Sequence, residues 1–296
     1  MGDKSQNSAE QWRTRGQLKT VLGHSIFVVD EGAADLPTIL LLHGFPTSSW
    51  DWQPIWGELA KQYRLVALDM LGFGFSDKPN NRGYTIHGQA DIVDALVETM
   101  QLERFHVLAH DYGDTVAQEL LARQLEGSGN GNWLSCCFLN GGLFPETHHA
   151  LLTQRLLLSP IGGLINRLAG YKGFCRNFSS VFGDDTKPTE QELQTFWQLI
   201  NINEGKHIFH NLITYMRDRI LHRERWVSAL QQSSIALGVI NGSVDPVSGA
   251  HMVERYQQLN CRLDYLAALP RIGHYPQVEA PAQVLSHYQE YLKLVG

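Results

Sequence analysis

The run Leu108-Ala-His-Asp-Tyr-Gly-Asp114 sets a carboxylate, Asp111, where an apolar strand ending at Ala109 gives way to the amphipathic stretch that starts at Thr115. This is the pattern of a nucleophile elbow with aspartate at its tip. Such a turn needs small residues two places either side of the exposed one, and Ala109 and Gly113 supply them. A serine there would have to be deprotonated before attack, whereas a carboxylate with a pKa of about 3.9 is already ionised at neutral pH. The chemistry expected is therefore displacement at carbon, giving an aspartyl ester that an activated water hydrolyses. No cofactor and no metal is called for.

Activating that water needs a base, and a histidine oriented by a carboxylate is the usual device. Val239-Ile-Asn-Gly-Ser-Val-Asp245-Pro puts Asp245 in the loop after one apolar strand, and Arg271-Ile-Gly-His274-Tyr-Pro puts His274 after the next. Nucleophile, acid and histidine thus follow in the order that an elbow of this kind expects. Ester hydrolysis passes through an oxyanion. Its backbone N–H donors are expected from Phe45, in His43-Gly-Phe-Pro46, and from Tyr112, which follows the nucleophile. Asp114 either complements the positive helix start or raises the pKa of Asp111 by like-charge repulsion. The glycine-rich run Asp69 to Pro79 lacks the Gly-Lys-Ser/Thr ending of a phosphate loop and reads as a structural loop beside the pocket.

The elements that must hold these groups alternate. Short β-rich runs at 25–29, 38–42, 65–68, 105–108, 135–139, 235–240 and 263–266 are separated by helical patterns such as 86–100, 114–125 and 280–294. Most of the runs read as strands covered on both faces, giving a doubly wound, mostly parallel α/β sheet. Residues 144–228 break the alternation with helical periodicity throughout. They read as a helical cap inserted between a first core segment, 1–143, and a second, 229–296, over the sheet edge where ligands bind. Phe144, Leu152, Trp197, Phe209 and Trp226 are candidates for its apolar lining.

The chain has 296 residues, 43% hydrophobic and 18% charged, with a net charge of -6 and no dense Lys/Arg block. That balance argues against nucleic acid and against an anionic membrane, and leaves small apolar molecules open as substrates. The polar start and the lack of a long apolar run suggest a cytoplasmic protein. The four cysteines, Cys136 and Cys137 among them, show neither disulfide nor metal spacing and read as inert thiols. A homodimer is compatible with the sequence.

Together these residues resemble the α/β-hydrolase superfamily over positions 18–292, in the branch that holds epoxide hydrolases and haloalkane dehalogenases. The likeness is most specific to the mesoderm-specific transcript proteins, at His43-Gly-Phe-Pro-Thr-Ser-Ser-Trp-Asp-Trp52, Leu71-Gly-Phe-Gly-Phe-Ser-Asp-Lys-Pro79, His110-Asp-Tyr-Gly-Asp114 and Asn140-Gly-Gly-Leu-Phe-Pro-Glu-Thr147. The resemblance implies an eight-stranded, mostly parallel sheet flanked by helices, and SN2 attack by Asp111 followed by water attack driven by His274 with Asp245. Dehalogenases of this branch hold the halide with a tryptophan after the nucleophile and a second donor in the His-Gly loop, where this chain has Tyr112 and Phe45. An epoxide oxygen must instead be protonated as the ring opens. Tyr215, in Leu212-Ile-Thr-Tyr-Met-Arg-Asp-Arg219, resembles the cap tyrosine that does this, at a benefit of roughly 10² to 10⁴ in rate. The second cap tyrosine of that branch has no counterpart in 145–151, which leaves Tyr171, His148 or His149 as substitutes. The leading expectation is an epoxide hydrolase that uses water and makes vicinal diols. Hydrolytic dehalogenation and a non-catalytic binding protein are the alternatives.

Overall fold

The computed structural model describes residues 8–80, 83–148, 152–159, 161–168 and 170–296. Its strands are β1 (Gly16–Val21), β2 (His24–Glu31), β3 (Thr38–Leu42), β4 (Arg64–Leu68), β5 (Arg104–His110), β6 (Asn132–Leu139), β7 (Ala236–Gly242) and β8 (Tyr265–Leu269). They form one sheet in the order β1-β2-β4-β3-β5-β6-β7-β8. All pairs from β4 to β8 are parallel, and β1-β2 and β2-β4 are antiparallel. Every residue of β3 is buried. Leu40 and Leu42 join the core on one face of the sheet, Ile39 and Leu41 the core on the other, as the two-residue period of a strand requires. A strand covered on both faces reads as an unbroken apolar run, which is why β3 to β7 could be foreseen.

β1 was not foreseen. It is a mostly solvated edge strand, with Gln17, Leu18 and Thr20 exposed or partly so, and its apolar signal is weak. What secures it is the turn at Leu22 and Gly23, both with positive φ (48° and 79°), which matches the twist of a two-residue hairpin. β8 begins two residues later than the apolar run suggests.

The register aligns the strand ends. Leu42 pairs with Ala109, His110 with Leu139, Leu139 with Ile240 and Gly242 with Leu269, so the residues after β3, β5, β6, β7 and β8 emerge along one edge. Over that edge lie the helices that follow β6. The helical periodicity expected over 144–228 opens with two pieces, Leu152–Leu157 and Gly162–Leu168, and the sequence between them carries Pro160, a residue that disfavours a continuous helix. Tyr171–Ser179, Glu190–Asn201, Phe209–Leu212 and Tyr215–Leu221 complete the cap. Arg223–Gln232 packs instead on the core helix Tyr112–Glu126. Buried Glu119 of that helix accepts from Arg225, Trp226 and Arg123, so the return to the core begins near Arg223, ahead of the boundary expected from periodicity.

Candidate active site

Asp111 sits at the β5 to helix junction with φ 47° and ψ −102°, a strained backbone that lifts its carboxylate out of the turn. The strain is held from both sides. A Cβ on Gly113 would fall 2.3 Å from the Leu42 carbonyl oxygen, and one on Gly44 would fall 2.5 Å from His110 Nδ1. The Gly113 N–H donates to the His43 carbonyl at 3.0 Å, tying the elbow to the loop after β3. His43 is itself structural: its Nε2 accepts from the Met70 N–H at 3.0 Å, so its Nδ1–H donates to the Gly44 carbonyl at 2.8 Å. The consequence for chemistry is that the Phe45 N–H reaches Asp111 Oδ2 at 3.0 Å. Tyr112 opens the helix, where first-turn N–H groups have no partner inside the helix.

Asp245 and His274 meet this carboxylate from β7 and β8. Asp245 Oδ2 lies 2.7 Å from His274 Nδ1, and His274 Nε2 lies 3.8 Å from Asp111 Oδ2. Asp245 is fixed by three further donors: the Val247 N–H at 2.8 Å, the Ser248 hydroxyl at 2.8 Å and the Asn140 amide at 3.0 Å. Asn140, at the end of β6 with φ 47°, also binds the Gly242 N–H and carbonyl, joining β6 to β7. Burial opposes the charge on His274, but Asp245 and then Asp111 outweigh it and hold the imidazole well above its ordinary value. Burial likewise opposes the charge on Asp111, and His274 and Arg219 overturn that, leaving the carboxyl far below the usual carboxylate range. Two carboxylates therefore favour the protonated form of the imidazole that stands between them.

Two neighbours complete the balance. Arg219, 2% exposed, places a guanidinium nitrogen 3.7 Å from Asp111 Oδ1, donates to the Thr115 hydroxyl at 2.8 Å, and lies over the Tyr215 ring at 4.6 Å. Asp114 is fully buried and neither of its oxygens has a hydrogen-bond partner. Burial first, then the charge of Asp111, pushes its carboxyl well above the ordinary range, which favours its neutral form. The like-charge repulsion expected at the sequence level therefore falls on Asp114, and Asp111 goes down rather than up.

Above the triad is a cavity of about 370 Å³, walled mainly by apolar and aromatic groups such as Phe45, Phe174, Phe178, Trp197, Phe209 and Tyr275, with Asp111 and His274 at its floor. Of the lining candidates read from sequence, Trp197 and Phe209 face it. Phe144 and Trp226 belong to the core, with the Trp226 indole N–H bound to Glu119, and Leu152 is exposed. Tyr215 is not among the lining residues. It is buried with its ring 4.8 Å from that of Tyr112 and its face covered by Arg219. Tyr171 turns its hydroxyl to Glu190 at 2.7 Å and does not line the cavity either. His148 stands beside Arg219, 3.4 Å from a guanidinium nitrogen, and burial followed by that charge pushes it down to about 4. His149 lies outside the described residues. Gly74 and Asp69 confirm a structural role for the loop 69–79: Asp69 accepts from Ser49 and from the Phe75 N–H at 2.7 Å, and a Cβ on Gly74 would fall 2.0 Å from it. Among the described residues no cluster of three His, Cys, Asp or Glu side chains is spaced to hold a metal ion.

Known proteins share this arrangement of sequence. The mouse mesoderm-specific transcript protein is 43% identical over 293 residues, covering 95% of this chain and 87% of its own length. The alpha/beta hydrolase fold family also matches residues 37–128. This chain belongs to the α/β-hydrolase superfamily. The Mycobacterium tuberculosis protein LipZ, which is named a hydrolase, is 38% identical over 275 residues, with 93% of this chain and 94% of its own covered. Among solved structures, a loop variant of the haloalkane dehalogenase DbeA from Bradyrhizobium elkanii superposes with a TM-score of 0.80 over 95% of this chain and 96% of that one, at 21% identity. That likeness carries the fold of this α/β hydrolase, an eight-stranded sheet under a helical insertion. Arg219 and Asn140 are site residues that nothing in their spacing marks out, although Asn140 opens Asn140-Gly-Gly and Arg219 closes Leu212-Ile-Thr-Tyr-Met-Arg-Asp-Arg219.

Proposed function

We propose that this α/β hydrolase opens epoxides to vicinal diols through an ester on Asp111, with His274 as the ring-opening acid in place of a cap tyrosine. The observation that carries the reading is the geometry at the floor of an apolar cavity, where His274 Nε2 stands 3.8 Å from Asp111 and Nδ1 stands 2.7 Å from Asp245, two carboxylates that favour its protonated form. Asp111 Oδ1, the oxygen not bound by the Phe45 N–H, forms a bond to a ring carbon. The ring C–O bond breaks toward oxygen, and the alkoxide takes the Nε2 proton of His274. Ester formation removes one of the two carboxylate charges that held His274 protonated, and proton donation leaves it neutral, so it is ready to act as base.

Neutral His274 then takes a proton from water as the hydroxide adds to the Asp111 carbonyl carbon. The Phe45 and Tyr112 N–H groups receive the oxyanion. Collapse breaks the ester C–O bond, the product alkoxide takes the proton of the regenerated carboxyl, and the site returns to an Asp111 carboxylate and a His274 imidazolium. Protons balance within one cycle. Halide displacement would need no proton at the first step, and neither Tyr112 nor Phe45 offers a side-chain N–H to cradle the leaving anion.

The test is a single turnover of terminal aliphatic and aryl epoxides in heavy-oxygen water, followed by digestion. The reading expects diol and label in the peptide that contains Asp111; diol without that label, or no diol from any epoxide, overturns it. His274→Gln separates the acid from the nucleophile: it should take up an alkyl bromide as a stable ester but add epoxides about 10²-fold more slowly than the wild type. Undiminished epoxide addition would move the acid role away from His274, and bromide release with the epoxides inert would assign dehalogenation.

A further inference from the structure

The cap carries a second surface, at the mouth of the cavity. Between positions 147 and 183 the sequence holds Arg155, Arg167, Lys172 and Arg176 and no Asp or Glu, in a chain whose net charge is -6. All four cations are exposed, and none takes part in the ion pairs found among the described residues. Glu190 approaches this region, where the Tyr171 hydroxyl binds it.

Large aliphatic side chains share helices with two of these charges, Leu152 with Arg155 and Leu164 with Arg167, each pair three residues apart and so on one face. Leu152, Ile161, Leu164 and Leu168 are 72%, 54%, 57% and 75% exposed. They fall on or beside two short helices that touch, since a Cβ on Gly162 would lie 2.0 Å from the Leu157 carbonyl oxygen. Single exposed leucines are ordinary, but a cluster rimmed by polar groups marks an interaction surface. Leu168 also lines the cavity, as do exposed Gly170, Gly173 and Asn177, so the opening of the cavity lies within the patch.

We infer that this rim docks on an anionic lipid bilayer, with the aliphatic side chains entering the interface and the four cations meeting lipid phosphates. The charge decides between occupants. A two-fold contact between copies of the chain would bring two such cationic patches face to face, whereas an acidic bilayer complements them. A lipophilic substrate then enters the cavity from the membrane without crossing water. The inference departs from the expectation drawn from the whole-chain charge, which hid a segment without acids. Docking stands apart from the hydrolytic reading, while the entry of substrate through the rim rests on it, so the test reads binding alone.

Co-sedimentation of the intact chain with phosphatidylcholine vesicles, with and without phosphatidylglycerol, should show binding that needs the anionic lipid and weakens in high salt. Ile161→Ser combined with Leu164→Ser should lower it at least about tenfold. Arg155→Gln and Arg176→Gln should each lower it about fivefold. Circular dichroism and a thermal melt check that each variant is folded. Failure of the wild type to pellet with anionic vesicles overturns the inference, as does unchanged binding by folded variants. A dimer on size exclusion that the same substitutions dissolve would give the patch to a second copy and also overturn it.

Discussion

Asp111, just before the helix Tyr112–Glu126, and Glu119 within it are buried carboxylates, each beside arginine, and they differ in how completely they are bonded. Glu119 accepts from Arg123 Nε at 3.0 Å, from Arg225 at 3.0 and 3.2 Å and from the Trp226 indole at 2.8 Å. Burial raises its pKa, but those donors bring it down to about 2. Asp111 has one donor at 3.0 Å, and its two cations stand off at 3.7 and 3.8 Å. Glu119 has spent its lone pairs on neighbours and can only hold the fold together. Asp111 has the same charge stabilised at a distance, which keeps it ionised while leaving an oxygen to face the cavity. Saturation of the acceptor, rather than burial or charge, separates the structural acid from the reactive one.

Neutralising the two acids in turn separates their roles. Asp111→Asn should lower epoxide turnover by about 10⁴-fold or more, because the bond-forming atom is lost, while leaving the fold in place; diol release and circular dichroism read the two halves. Glu119→Gln should do the reverse. It leaves Arg225 and Arg123 partly unpaired and should cost about 3 kcal/mol of stability in urea unfolding, with turnover of the folded enzyme within a few fold of the wild type. Glu119→Gln losing activity but not stability would erase the distinction.

Arg219→Met sharpens it. Wild-type Asp111 remains ionised on acidification, so the rate of ester formation should stay flat down to the pH at which the fold fails. Without the guanidinium an acid limb should appear above that pH, seen in the rate of adduct formation with an alkyl bromide. A rate that stays flat would mean that His274 alone holds the carboxylate. The smallest effect belongs to Asp114. Its folded pKa is raised, so the folded state binds a proton that the unfolded chain gives up above about pH 4, and stability declines with rising pH until the folded pKa is reached. Asp114→Asn should flatten that decline, which amounts to at most about 1.4 kcal/mol per pH unit, in denaturation profiles between pH 5 and 7. An unchanged slope would mean that Asp114 is ionised in the fold.

What could be read in advance follows from how local the cause is. The elbow is a matter of a few adjacent residues, with Gly113 demanded by the Leu42 carbonyl, and β3 and β5 declare themselves by unbroken apolar runs. Asp245 and His274 were legible because each follows a strand in a fixed order. Tyr215 was harder. Its spacing is that of an amphipathic helix, and which side of that helix meets the cavity is decided by Arg219, one turn on, taking the position beside Asp111. Nothing in the spacing of Arg219 separates a solvent-facing cap cation from a fully buried one. The divided cap helices were blurred for the same reason, since apolar periodicity continues across the break between Leu157 and Gly162. Hydrogen bonds that cross strands, such as those of Asn140, leave no periodic trace at all.

Asn140 carries a consequence for how the architecture can vary. Its amide bridges the carbonyl and N–H of Gly242, so the strand end from which the chain departs for the cap is clasped to the end of β7, the strand that follows the return. The same amide steadies Asp245, and the entropic toll of closing a longer or shorter excursion rises only slowly with its length. Lids of different size can thus be exchanged between Asn140 and Arg223, with β7 and Asp245 left in place and only the guanidinium of Arg219 to be supplied anew beside Asp111.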